Sequence, residues 1–579
     1  MPTLSFKGKT VVETYHHTVA HHVLEFDEKL SVLPKGQTAS LDGNLIIEGD
    51  NLLALKALLP THAGKVKCIY IDPPYNTGEE NWVYNDNLTH PLFKEWIHRE
   101  VGKEGEDASR HDKWCCMMYP RLRLLQELLS DKGVILVSID ENEVGSLRLL
   151  MDEVFRVEKP LATLVWKRRS PTGMRGDPVS VDHEYVLVYA KNPTKVELTG
   201  LLMTADDYTL QDHIGRFAST DLTIGMTKEE RPNQFYPIAN PRTGAEYAAN
   251  PDRVWRFEPA EMKRVIEDKN NLIIWPDEQS EQKMTRPRFK TRFDPMNPKL
   301  KPISSWIESS SRKPDDDDEE GDDVRAISSG LNAEGGRVLS RIFGEKVFNY
   351  PKPPSLIQAL VQIAAGEDET VLDSFAGSGT TGQAVLEANM ADGKSRKFIL
   401  VQMRCDTLEQ EHDRKNICEN VTAARVRSVI SGYFYQPNGK KQNVPGLGGS
   451  FTYARLGEPL FSEYKSFGKK APTFAQLARY VFYTHTSQQI DQKKIKEETG
   501  FIGSTEMRGG TSFYLFYTPD QASSREVSTK TLEALLKKDK NPNWMLYCEK
   551  VWLHPEQVRE FEREHNKRIT LMLVPFDLK

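Results

Sequence analysis

Residues 1–40 show no sustained hydrophobic period, whereas from Leu45 onward short apolar runs alternate with helix-spaced leucines. Leu45-Ile46-Ile47 reads as a strand, and Leu52, Leu53, Leu55, Leu58 and Leu59 follow at the spacing of one helix face. Val66 to Asp72 is a second strand, stopped by Pro73-Pro74. Tyr119 to Leu129 predicts a helix with a leucine face, Gly133 to Asp140 a buried strand of the parallel type, and Glu143 to Phe155 another helix. Strands over Leu161 to Lys167 and Glu184 to Ala190 close this stretch. Over 193–347 the period fades into short pieces rich in Pro, Asn, Arg and Asp. It resumes with a helix over Leu356 to Ala365, a strand over Thr370 to Asp373, a Gly-rich turn and a helix from Thr380 to Asn389. A strand over Lys397 to Val401 and a long helix reaching Ser431 complete it. Beyond 433, Gly-rich loops precede aromatic strand candidates at Tyr480 to Tyr483, Ser512 to Tyr517 and Trp544 to Tyr547, and an amphipathic stretch from Pro555 to His565. Strand–helix alternation on both sides of a polar insertion predicts an α/β protein with a mostly parallel sheet, followed by an α+β module. There is no internal repeat.

Composition narrows the classes. The 579 residues, 38% of them hydrophobic, suffice for about three or four domains with real cores. No apolar run of about 18 residues is present, and Met1 to Lys7 has no apolar leader segment. Six cysteines without C-x-x-C spacing argue against both a disulfide scaffold and a zinc ribbon. A reduced, cytoplasmic protein is expected. His16, His17, His21 and His22 fall on helical spacing, but no partner set for a metal accompanies them. The net charge of -6 carries no global signature of nucleic-acid binding, yet charge is segregated. Lys283, Arg286, Arg288, Lys290, Arg292, Lys299, Lys301, Arg312 and Lys313 precede a run from Asp315 to Asp323 in which eight of nine residues are acidic. The pattern suits either solvated loops or a nucleic-acid surface followed by an acidic linker.

Two motifs carry chemistry. Asp72-Pro73-Pro74-Tyr75-Asn76-Thr77-Gly78 ends a strand, where an open α/β sheet presents side chains to its ligand crevice. An Asp there can accept a hydrogen bond from an exocyclic amino group, the prolines fix the Pro73 carbonyl, and the Tyr75 ring can stack on a heterocycle taken out of a duplex. Val371-Leu372-Asp373-Ser374-Phe375-Ala376-Gly377-Ser378-Gly379-Thr380-Thr381-Gly382 is a strand, Gly-rich turn and helix start. Such a turn lets a ligand approach backbone N–H groups closely. Its Gly377–Gly382 stretch also matches a dinucleotide pattern, which leaves a nucleotide-binding oxidoreductase open at this point. That reading wants an acid where Gln402 stands and gives Asp72 to Tyr75 no role.

Together the motifs resemble the DNA amino-methyltransferases that use S-adenosylmethionine, in the permuted order of the β group, over roughly residues 40–432. Glu48-Gly49-Asp50-Asn51, His183 to Tyr189 and Phe348-Asn349-Tyr350-Pro351-Lys352-Pro353 fit the same pattern. The stretches Asn44 to Leu59, Ile71 to Asp86 and Arg337 to Lys352 look most like the Mod subunits of type III restriction-modification systems. The resemblance implies an S-adenosylmethionine-dependent methyltransferase fold, a seven-stranded mostly parallel sheet with circularly permuted motifs. It assigns 1–40 to an N-terminal extension, 41–192 to a catalytic half, 193–347 to target recognition, 348–432 to a cofactor-binding half and 433–579 to a C-terminal interaction domain. Methyl transfer to adenine N6 in double-stranded DNA is the implied activity. Cytosine N4 is the alternative base, and Asp72 in place of serine favours adenine. A recognition subunit acting within a larger nuclease or helicase complex is a further alternative. Implied partners are a second copy of the chain and a restriction subunit.

The implied catalytic residues are Asp72, Pro73, Pro74 and Tyr75, the last through its ring rather than its hydroxyl. Asp373, Phe375, Ala376, Gly377, Ser378 and Gly379 would hold the methionyl end of the cofactor, with Thr380 and Thr381 beside them. Asp50 would accept from the cofactor's adenine with Asn51 assisting, or either would simply cap the following helix. Gln402 stands where relatives place a ribose-binding acid, with Asp406 as second choice, and Lys352 and Pro353 would wall the pocket. For the insertion, position and composition nominate Arg286, Arg288, Lys290 and Arg292, together with Gln234 and Asn240, as DNA contacts. Cys115-Cys116 lacks the Pro-Cys context of a cytosine-C5 nucleophile.

Overall fold

Val66–Ile71 is buried at all six positions, and Leu45–Glu48, Thr370–Asp373 and Lys397–Gln402 nearly so, as continuous apolar strands covered on both faces must be. The computed structural model describes residues 4–77, 107–157, 159–170, 179–196, 198, 201–202, 205, 208–278, 284–296, 300–301, 303–309, 325–405, 415–437, 441–461, 467, 471–491, 494–506, 509–519 and 525–574. Gly78, Asp86, Asp406, Lys283, Lys299, Arg312, Lys313 and the acidic run lie outside the described residues. The chain forms two units, residues 1–198 with 305–310 and 328–579, and residues 199–304 with 311–327.

In the first unit the central strand order is Leu45–Glu48, Lys397–Gln402, Thr370–Asp373, Val66–Ile71, Leu129–Ile139, His183–Ala190 and Ala162–Lys167. The first five run parallel, and His183–Ala190 is antiparallel to both its neighbours. These are the seven strands expected of the methyltransferase sheet. The observed sheet has eleven. Phe451–Pro459 pairs parallel with Leu45–Glu48, and His22–Val32 pairs antiparallel with Phe451–Pro459. Ile303–Ser309 and Arg325–Ser329 extend the opposite edge. The expected extension 1–40 and the expected terminal block 433–579 therefore each contribute a strand to the central sheet.

Alternation along the strands sorts the two faces. Ile47, Ile69, Ile71, Ile135, Val137 and Leu372 pack with helices Asn51–His62, Asp107–Leu128 and Val144–Phe155. On the other face Gly382 of helix Thr380–Asp392 sits against Leu400 and Phe398, with helices Pro354–Ala364 and Ala424–Ser431 beside it. A Cβ at Gly382 would come within 2.9 Å of Val426 and 3.0 Å of Leu400, so the close helix–strand approach requires glycine. Cys115 and Cys116 are buried in helix Asp107–Leu128, and burial pushes both thiols up.

The rest of the first unit is a four-stranded sheet, Phe501–Thr505, Thr511–Phe516, Asn543–Cys548 and Arg568–Leu573 in that order, with a helix-covered core on each face. The strand expected over Tyr480 to Tyr483 is instead part of helix Phe474–Thr486. A Thr473–Gln476 capping box starts that helix, and Phe474, Leu477, Ala478, Val481 and Phe482 form its buried face, so helical spacing overrides the β preference of the aromatics.

The second unit has a four-stranded sheet, Ile273–Ile274, Arg288–Arg292, Arg216–Asp221 and Leu210–Gln211, and helix Pro259–Ile266. Leu222, Trp255, Met262, Ile273 and Trp275 form its core. Among the described residues no helix is long and apolar enough to cross a membrane.

Candidate active site

Leu372 pairs with Ile69 across neighbouring parallel strands, so Asp72 and Asp373 emerge at the same edge of the sheet. After Asp72 the chain is held from both sides. Trp114 Nε1 donates to the Pro74 carbonyl at 2.7 Å, and no described residue donates to the Pro73 carbonyl. Asn76 takes a left-handed φ of 59° and its amide donates to the buried Glu143 carboxylate, which His111 Nδ1 also meets at 2.7 Å. The rigid turn expected from Pro73-Pro74 is thus anchored by an indole and a carboxylate from two other segments.

At Asp72 the structure assembles an ionic cluster. Lys352 Nζ lies 2.8 Å from each carboxylate oxygen of Asp72, 2.7 Å from the Tyr75 hydroxyl and 3.3 Å from Glu184 Oε2. The Tyr75 hydroxyl has one proton and two acceptors, Asp72 Oδ1 at 2.8 Å and Glu184 Oε2 at 3.1 Å. Arg168 meets the other Glu184 oxygen at 3.2 Å. Burial raises the Asp72 carboxyl above the usual carboxylate range, and Lys352 opposes the rise. Burial also works against the Lys352 ammonium, but Asp72 and Glu184 hold it above its ordinary value. The Lys352 ammonium, named in the sequence as a wall of the cofactor pocket, addresses the carboxylate. The Tyr75 hydroxyl, expected to be idle, is part of the cluster.

One strand away the Gly-rich turn is built differently. Gly377 and Gly379 have φ of 50° and 79°, and a Cβ at Gly379 would lie 3.0 Å from the Thr422 carbonyl. Asp373 accepts from Phe375 N at 2.9 Å and from Thr381 Oγ1 at 2.5 Å, and burial raises its carboxyl to about 7. Gln402 Oε1 accepts from Gly377 N at 2.7 Å, so in this state its amide oxygen braces the turn. Thr422, within the π-helical turn Cys418–Ala423, donates to the Gly377 carbonyl at 2.6 Å. Fully buried Arg425 donates to Ser378 Oγ at 2.8 Å and Thr380 Oγ1 at 2.7 Å. Ser378 and Thr380 are thereby tied to the protein, and Thr380 Oγ1 also reaches the Lys352 carbonyl at 3.4 Å. The Ser374 hydroxyl is buried without a partner among the described residues.

The remaining nominated residues fall into two groups. Asp50 caps helix Asn51–His62 through Leu52 N and Leu53 N and faces Arg121 at 3.5 Å, which is the helix-cap alternative. Asn51 donates to the Ser374 carbonyl at 2.9 Å, linking that helix to the Gly-rich turn. Pro353 precedes helix Pro354–Ala364, and Gly335 packs so closely that a Cβ would come within 2.0 Å of the Pro351 carbonyl, which fixes the Lys352 backbone. In the second unit Lys290 and Arg292 both clamp Asp212, while Arg288 donates to Ser219. Asn240 is buried against Asp277 and Glu278. Side chains engaged this way brace their own sheet and hairpin, and among the four nominated cations Arg286 alone is exposed. Sequence reasoning missed Glu184, Arg168, Arg425, Thr422 and Trp114. A charged residue inside an apolar strand, as Glu184 is, was the one available signal.

The DNA methylase family model matches residues 66–409, which takes in both strand ends. The chain is 32% identical over 372 residues to the StyLTI Mod subunit of a type III restriction-modification enzyme from Salmonella typhimurium, covering 62% of this chain and 52% of that protein. It is 32% identical over 396 residues to the EcoPI Mod subunit from Escherichia phage P1, covering 62% and 57%. The type II methyltransferase M.KpnI from Klebsiella pneumoniae is 30% identical over 397 residues, covering 66% of this chain and 85% of that protein. The chain spans little more than half the length of these Mod subunits. A family match over more than half the chain, laid across a parallel sheet that sets Asp72-Pro73-Pro74-Tyr75 beside the Gly377–Gly379 turn, shows that this chain belongs to the DNA methylase family.

Proposed function

We propose that the chain transfers a methyl group from S-adenosylmethionine to the N6 amino group of adenine in double-stranded DNA. The observation that carries the reading is the placement of Asp72 and the Pro73 carbonyl one strand from the Gly377–Gly379 turn, on the same edge of one sheet. The left-handed glycines, the unpartnered Ser374 hydroxyl and the backbone N–H groups at the start of helix Thr380–Asp392 suit the methionyl end of that donor. Residues 373–381 would hold it, and it supplies an activated methyl group. Asp72 and the Pro73 carbonyl accept the two amino hydrogens of the base, which draws nitrogen lone-pair density out of the ring and toward the methyl. This is positioning and electrostatic stabilisation with no covalent enzyme intermediate. The Tyr75 ring gives the extruded base a flat surface. Aspartate at the head of the motif is the feature that favours adenine over cytosine.

The same reading makes the second unit the sequence-recognition module. It gives the chain a cytoplasmic site of action on DNA and a second copy of itself as partner, and likeness to the type III Mod subunits adds a restriction subunit. The test is methyl transfer from labelled S-adenosylmethionine to DNA by the full chain, with the product base identified by mass spectrometry. N6-methyladenine supports the proposal, and N4-methylcytosine or no modified base overturns it.

A further inference from the structure

We infer that Lys352 is a positioning residue for methyl transfer, a built-in counter-ion that keeps Asp72 an oriented carboxylate, with Glu184 as its second anchor. The inference rests on the methyl-transfer reading above and deepens it. Among the described residues Lys352 is the only cation within ion-pair distance of Asp72, and it meets both carboxylate oxygens at 2.8 Å. The other groups that face Asp72 are Glu184, Tyr75, Tyr70 and Asp373, and none of them is cationic. Burial and the Glu184 carboxylate both push a proton onto Asp72. A protonated Asp72 would offer a hydroxyl to the amino group in place of one acceptor oxygen, and a donor facing a donor cannot pull hydrogen-bond density from the base. One ammonium shared by Asp72 and Glu184 offsets that pressure.

The way Lys352 is delivered supports the same role. Its backbone is pinned by the close packing of Gly335 and touched by Thr380 of the Gly-rich turn, so the ammonium reaches across from the cofactor half of the sheet. Lysine shares its protons between Asp72 and Glu184 and leaves Asp72 Oδ2, which the Tyr75 hydroxyl does not meet, with a lone pair for a substrate amino group. Arg168 takes the far oxygen of Glu184, which keeps Glu184 from turning away from Lys352.

The test measures single-turnover methyl transfer against pH for the full chain and for Lys352→Met, Lys352→Arg and Glu184→Gln, with S-adenosylmethionine affinity measured by calorimetry alongside. Lys352→Met is expected to lose about tenfold or more in rate at neutral pH, with the acid limb of its profile moved upward so that the deficit narrows as pH rises. Lys352→Arg should restore the position of that limb, and Glu184→Gln should move it downward. Donor affinity should stay within about threefold. A Lys352→Met profile parallel to the wild type, or an unmoved limb in Glu184→Gln, overturns the inference. If Lys352→Met does not fold, the Glu184→Gln limb decides. An infrared titration of the carboxyl band that disappears in Asp72→Asn reads the same protonation without turnover. A band unmoved by Lys352→Met and Glu184→Gln alike refutes the counter-ion, and a wild-type chain that methylates no DNA at any pH refutes the parent reading instead.

Discussion

At the end of Val66–Ile71 the site is made of ionisable side chains brought from residues 72, 184 and 352, whereas at the end of Thr370–Asp373 it is made of backbone, glycines and hydroxyls from one short segment braced by Thr422 and Arg425. On the proposed methyl-transfer reading the difference separates two tasks. A group that must be recognised by shape is met by fixed N–H groups and left-handed turns, which do not change with pH. A nitrogen whose electrons must be redirected is met by a carboxylate whose charge state is controlled by neighbours. Asp373 belongs by place to the Gly-rich end and by chemistry to the ionisable one, since burial holds its carboxyl near 7.

The comparison can be broken at either end, and the backbone end should fail hardest. Gly379→Arg places a side chain at a φ of 79° with its Cβ against the Thr422 carbonyl, and calorimetry should find no S-adenosylmethionine binding. At the charged end, Asp72→Ala should cost on the order of 10²–10³ in transfer rate while leaving donor affinity unchanged. Equal loss of binding and rate in both variants would erase the distinction between the two regions.

Two milder changes sharpen it. Arg425→Met leaves the Ser378 and Thr380 hydroxyls without their donor, and loss of a buried charged hydrogen bond of about 1.5–3 kcal/mol should lower Tm and weaken donor binding together. The smallest effect is expected from Asp373→Asn. In the folded chain the Asp373 carboxyl stays protonated up to about 7, while the unfolded chain releases that proton at the ordinary carboxylate value. The folded state therefore binds more protons between those limits, and wild-type stability falls as pH rises through that window and levels off above it. Asp373→Asn removes this dependence, so the Tm of the variant relative to wild type should rise from pH 5 to pH 8. A difference that stays flat across that range would place Asp373 in a more polar setting than its burial indicates.

The Gly-rich end was legible in the sequence because everything that makes it is contiguous, from Val371 to Gly382, and glycine at a left-handed φ announces itself. The seven central strands were legible for a related reason, since runs buried on both faces are short, apolar and bounded. The charged end was half legible. Asp72 and Tyr75 stood in a recognisable strand end, but Lys352 meets them from 280 residues away and Glu184 from a strand that reads as apolar. No local pattern encodes such a meeting. The edge strand His22–Val32 was invisible because its half-exposed positions follow no clean alternation. For Arg288, Lys290 and Arg292 the sequence could not foretell the intramolecular partners, since a basic run looks alike whether it faces a polyanion or is bonded to Ser219 and Asp212.

The strand order has a consequence for how the chain is born. Val66–Ile71 lies between Thr370–Asp373 and Leu129–Ile139, so one of its two neighbours does not exist until long after it has left the ribosome. At about 5–20 residues per second, synthesis from Ile71 to Thr370 takes roughly 15–60 s. For that interval an apolar strand waits with an open flank, and the partner of Leu45–Glu48 in Phe451–Pro459 comes later still. The second unit, with its own core, emerges during the wait and can fold first. The nascent chain is then a finished second unit beside an unfinished sheet, and the strand ends at Asp72 and Asp373 come together only in a late closure.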